Sequence, residues 1–170
     1  MQRDPVRSVR WRLLLLTGAA AIAASAAFAW GPAQDRLLYN HTPSVPTGLY
    51  LRTDAAIARG AFVTVRARDV APMAARARNF DGPQDRFIKR IAAAAGDRVC
   101  AEGDVLTIND GPAIPRRAQD SAGVALERWN GCRTLLDHEV LLLGDAATSF
   151  DGRYWGPIDR RHLEGVWRPL

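Results

Sequence analysis

Arg86-Phe87-Ile88-Lys89-Arg90-Ile91 alternates apolar and basic residues. A period of two is that of an extended strand, with Phe87, Lys89 and Ile91 on one face and Arg86, Ile88 and Arg90 on the other. The neighbouring segments read the same way. Val140-Leu141-Leu142-Leu143 is a continuous apolar run ended by Gly144-Asp145, the pattern of a strand buried on both faces. Residues 61–66 are rich in β-branched side chains behind Arg59-Gly60, and Leu49-Tyr50-Leu51 and residues 163–167 are further strand candidates. Val105-Leu106-Thr107-Ile108 runs into Asn109-Asp110-Gly111, a hairpin-turn signal. Only residues 71–80, with Met73, Ala74, Ala77 and Phe80 at near-helical spacing, suggest a short helix. Residues 33–39 read as a short helix or an extended lead-in. The expectation is an all-β domain built on a partly closed, barrel-like sheet.

The N-terminus differs from the rest. Residues 1–12 hold Arg3, Arg7, Arg10 and Arg12 against Asp4, which is +3 of the chain's net charge of +5. The folded part is therefore nearly neutral, which argues against nucleic acid as a partner. Residues 13–30, LLLLTGAAAIAASAAFAW, carry no charge. As a helix they would span about 27 Å, enough to cross a bilayer. Basic residues before the span place the N-terminus in the cytoplasm and residues 31–170 outside, as a periplasmic domain of a single-pass inner-membrane protein. Ala27-Phe28-Ala29 resembles a cleavage site, so a removed signal peptide is the alternative. Outside the cytoplasm, Cys100 and Cys132 are expected to form a disulfide rather than remain free thiols.

Of the 23 basic Lys and Arg residues, one is a lysine, Lys89. Arginine stays protonated, whereas a buried lysine can lose its proton. Lys89 on a strand face shared with Phe87 and Ile91 is thus a candidate general base. Its alternative is an ordinary surface charge. A base needs a nucleophile, and Ser44 lies in Thr42-Pro43-Ser44-Val45-Pro46, where two prolines forbid a helix and stiffen the loop.

Three ordered segments carry a family resemblance. Thr42-Pro43-Ser44-Val45-Pro46-Thr47-Gly48-Leu49-Tyr50 resembles the nucleophile box of the signal peptidases, in the Ser-x-Pro-x-Gly-x-Tyr form of their conjugative-transfer (TraF-like) branch. Phe87-Ile88-Lys89-Arg90-Ile91 with Gly96-Asp97-Arg98-Val99 resembles the lysine box. Gly144-Asp145 through Ser149-Phe150-Asp151-Gly152-Arg153 to Gly156 resembles the last box, with Gly152 where a serine is usual.

The resemblance implies a Ser/Lys serine endopeptidase with no cofactor or metal. Ser44 would be the nucleophile and Lys89 its base. The Ser44 N–H and the Thr42 hydroxyl would bind the oxyanion. Ser149 would orient the lysine, Asp151 and Arg153 would form a structural ion pair, and Cys100 and Cys132 match a cysteine pair of that branch. The implied substrate is an exported precursor, a pilin or other conjugative-transfer protein.

Alternatives stay open. A housekeeping signal peptidase would act on many preproteins, and a non-catalytic membrane-tethered β-domain would bind a secretion or conjugation component. His41, His138 and His162 fit no metal-ligand spacing. His41 is too close to Ser44 along an extended loop to pair with it readily, and no orienting carboxylate is evident.

Overall fold

The structure, a computed structural model, describes residues 17–18 and 36–170. The basic tail expected over residues 1–12 lies outside the described residues, as does nearly all of the apolar segment 13–30. Among the described residues no helix is long and apolar enough to cross a membrane.

The domain is mostly β. A hairpin of β1 (Leu37–Asn40) and β2 (Gly48–Thr53) comes first and encloses the loop 41–47. Then come β3 (Phe62–Arg66), the short helices α1 (Ala67–Val70) and α2 (Pro72–Ala77), and β4 (Arg86–Ala93). After them follow β5 (Arg98–Glu102), β6 (Val105–Ile108), β7 (Ile114–Pro115), β8 (Gly131–Thr134) and β9 (Glu139–Leu143). The chain ends with α3 (Gly152–Trp155), β10 (Ile158–Asp159) and β11 (Leu163–Pro169).

Seven strands form one antiparallel sheet in the order β1-β2-β11-β3-β4-β9-β10. Bulges near Leu163 in β11 and near Ile91 in β4 shift the register and curl the sheet into a half-barrel. Its edge strands β1 and β10 do not pair, so it stays open. The expected partly closed, barrel-like sheet is thus present, and it is not the whole of the domain. Four further strands form a second sheet, β7-β6-β5-β8.

Strand β9 explains the two sheets. Its apolar run buries both faces, as its composition predicts. Val140 and Leu142 pack with Val63, Val65, Ile91 and Val166 in one core. Leu141 and Leu143 pack with Val99, Ala101, Leu106 and Leu135 of the second layer. Burying Leu141 and Leu142 completely is worth about 1.5–3 kcal/mol each. A third cluster of Val45, Tyr50, Phe62, Ile88 and Trp167 anchors the loop 41–47 to the large sheet.

Local chemistry sets the second sheet. Asn109 and Asp110 both take positive φ, 52° and 56°, and Gly111 N–H donates to Ile108 O at 2.9 Å. This is the type I′ turn that matches strand twist. Cys100 of β5 faces Cys132 of β8 across the ladder, and the two form the expected disulfide.

Candidate active site

The loop between β1 and β2 is held by two side chains, Asn40 and Tyr50. Asn40 ends β1 and is 5% exposed. Its Nδ2 donates to the carbonyls of Thr42 (2.8 Å), Val45 (3.1 Å) and Pro46 (3.1 Å). Its Oδ1 accepts from the Thr42 N–H (3.2 Å) and the Thr42 hydroxyl (2.9 Å). Tyr50, buried two strand positions after Gly48, donates its hydroxyl to Pro46 O at 2.6 Å. Between these ties the Ser44 hydroxyl lies 3.3 Å from that of Thr42. The Ser44 N–H donates to no described group.

Lys89 sits at the centre of the large sheet, opposite Val63 of β3. It is 3% exposed and makes no hydrogen bond or ion pair with any described residue. Its ammonium lies 5.5 Å from the Phe87 ring centre, a modest attraction. Burial lowers its pKa from 10.5 to about 8, with Asp151 pulling back up and Arg153 pushing further down. Ser44, Thr42, Lys89 and Ser149 line one cavity of about 330 Å³, with Phe80 and Phe150 on its walls. No hydrogen bond joins Ser44 to Lys89, or Ser149 to Lys89.

The segment after β9 wraps behind this cavity. Asp151 is fully buried and accepts from the Gly144 N–H (2.7 Å) and the Arg153 N–H (3.1 Å), capping α3. Arg153 Nε lies 3.3 Å from the Asp151 carboxylate. The Arg153 guanidinium also reaches the carbonyls of Gly144 (2.9 Å), Ala146 (3.1 Å) and Ala147 (2.8 Å). Burial nevertheless raises the Asp151 pKa, and Arg153 with the two N–H groups offsets part of it. Ser149 is buried; its hydroxyl lies close enough to influence Asp151 but makes no hydrogen bond of ordinary geometry.

Two features of the last box now have a physical reason. Ala146 and Ala147 contribute backbone carbonyls rather than side chains. At Gly152 a Cβ would stand 2.6 Å from Leu142 O and 2.8 Å from Leu141 Cδ1, so a larger residue is shut out.

The structure thus brings Ser44, Thr42, Lys89 and Ser149 to one cavity, with Asp151 and Arg153 directly behind it. Cys100 and Cys132 lie in the second sheet. Sequence reading missed Asn40, which looks like any polar residue of a turn-rich stretch. It also missed the Arg90–Asp145 pair, joined by two bonds of 2.9 and 2.8 Å. The alternating pattern of β4 was the available signal for that pair, since it turns Arg90 away from Lys89.

The family profile described as signal peptidase, peptidase S26, matches residues 8–169, and the chain belongs to that family. Among curated relatives, a plasmid transfer protein TraF of Escherichia coli is 34% identical over 165 residues, 90% of this chain and 90% of the relative. A second TraF of Escherichia coli is 36% identical over 143 residues, 77% of this chain and 80% of the relative. A crystal structure of a signal peptidase I from Enterococcus faecalis overlays with a TM-score of 0.39 at 21% identity. That overlay covers 67% of this chain and 98% of the other. The family assignment rests on the sequence matches.

Proposed function

We propose that the protein is a membrane-anchored serine endopeptidase working through a Ser44/Lys89 dyad. Its substrate is a precursor of a conjugative-transfer system, a pilin in the simplest case, from which it removes the leader. The observation that carries this is Lys89. The chain's one lysine is buried, without an ion partner among the described residues, in the cavity that holds Ser44.

With a pKa near 8, a useful fraction of Lys89 is neutral at physiological pH. Neutral Lys89 takes the Ser44 proton as Oγ attacks the scissile carbonyl. The unengaged Ser44 N–H, with the Thr42 hydroxyl beside it, stabilises the oxyanion. The lysine ammonium returns the proton to the leaving amine, and water, deprotonated by the same lysine, releases the acyl group. Ser149 supports the ammonium, while Asp151 and Arg153 hold the 144–147 turn against the cavity. The two TraF relatives support the conjugative substrate, and the apolar segment 13–30 supports the membrane anchor.

Cleavage of a pilin precursor by wild type, Ser44→Ala and Lys89→Arg tests the reading. Both variants should lose activity by more than 1,000-fold, as expected when a unit of nucleophile and base is broken. Wild-type activity in either variant would refute the dyad.

A further inference from the structure

Asn40 has no part in the family resemblance, yet it makes more hydrogen bonds to the nucleophile loop than any other side chain described. Its amide is fixed in orientation, because a backbone N–H lies on the oxygen side and three carbonyls on the nitrogen side. A hydroxyl has one proton to give, and that of Thr42 goes to Asn40 Oδ1 at 2.9 Å. Thr42 Oγ1 is then left as an acceptor, and the hydroxyl within reach is that of Ser44 at 3.3 Å. The same amide pins the carbonyls on both sides of Ser44, those of Thr42, Val45 and Pro46.

We propose that Asn40 is the positioning residue of the nucleophile. It fixes the backbone around Ser44 and holds the Thr42 hydroxyl beside the Ser44 hydroxyl. One consequence separates this from the role expected of Thr42 alone. The Thr42 hydroxyl can serve an oxyanion only by releasing Asn40, so the two residues act as one unit. The inference rests on the Ser44/Lys89 reading. Asn40 makes no hydrogen bond to the Ser44 hydroxyl or to Lys89; it acts on the chemistry through loop geometry, where small misplacements are costly.

The test is a double-mutant cycle on the full chain, using a fluorogenic peptide with alanine before the cut. Asn40→Ala should lower kcat at least 30-fold with KM within threefold, after correction for the folded fraction, and leave the pH midpoint set by Lys89 in place. Combined with Thr42→Val, the loss should be at least fivefold smaller than the product of the single losses. Asn40→Asp, which keeps the acceptor for Thr42 but loses the amide donors, gives the same reading if the alanine variant does not fold; its kcat should fall with KM unchanged. A kcat within threefold of wild type, or single losses that multiply, would overturn the proposal. Ser44→Ala, run in parallel, separates the two readings. If it remains active, the dyad itself is wrong; if it is inactive while Asn40→Ala works normally, only the role of Asn40 fails.

Discussion

The Asp145 N–H donates to the Ser44 carbonyl at 2.6 Å. This bond ties the loop 41–47 to the turn that follows β9, and Gly144 lies against both. A Cβ at Gly144 would stand 2.7 Å from Ser44 O and 2.6 Å from Ser149 Cβ. Gly144→Ala should therefore push the loop and Ser149 apart. We expect kcat to fall at least tenfold with a loss of stability of about 1–3 kcal/mol, the usual cost of overpacking. Steady-state kinetics and urea unfolding measure the two separately.

The pH profile follows from Lys89. On the proposed mechanism the reactive form is the neutral one, so activity should rise with pH through a single ionisation near 8 and level off above it. Measuring kcat/KM from pH 6 to 10 checks this, and a flat profile would contradict it.

Lys89 should also cost stability. Its folded pKa of about 8 lies below its ordinary 10.5, so the unfolded chain holds the proton more tightly. At pH 7 the lysine is mostly protonated in both states and nearly all of the burial penalty is present, on the order of 3 kcal/mol. As pH rises from about 8 to 10.5 the folded lysine is already neutral, and stability increases. Lys89→Met should thus be inactive yet more stable than wild type at pH 7, with the difference shrinking by pH 10. Chemical denaturation at both pH values tests the sign.

Asp151 and Arg153 form a buried pair in which removal of one partner strands the other. Asp151→Ala also orphans the Gly144 N–H, and should destabilise by about 3–5 kcal/mol. Thermal unfolding measures the loss, with Asp151→Asn intermediate because it keeps an acceptor for Gly144.

The disulfide closes a loop with a sequence separation of 32. Its loss should cost about 3–4 kcal/mol on the chain-entropy estimate. Unfolding of the Cys100→Ala/Cys132→Ala variant checks this. Peptide cleavage by the folded fraction should persist, because the bridge lies in the second sheet.

Much of the fold was legible because five strands of the large sheet, β2, β3, β4, β9 and β11, are patterned by what they bury, whereas its edge strands β1 and β10 are not. Strand β4 alternates because its two faces meet different cores, and β9 is apolar throughout because both its faces are covered. Strand β8 was not legible. Its four residues, Gly131 to Thr134, are all exposed and carry no apolar rhythm. The existence of the second sheet was hidden for the same reason. At the candidate site, Lys89 stood out by its rarity and its strand face. Ser44 was visible only through the ordered motifs, and the polar residues beneath it were not, since an asparagine that organises buried carbonyls has the same one-letter signature as one in a solvated turn.

A chain with a single lysine carries one side-chain amine. Isotope-labelled lysine, or reductive methylation with labelled formaldehyde, would place one side-chain spectroscopic reporter in the protein, at the proposed base itself. Its chemical shift could be followed through a titration without assignment, and its environment watched as a precursor peptide enters. The arginine bias of this sequence thus makes the protonation state of the cavity that holds Ser44 and Lys89 directly observable, with no mutation required.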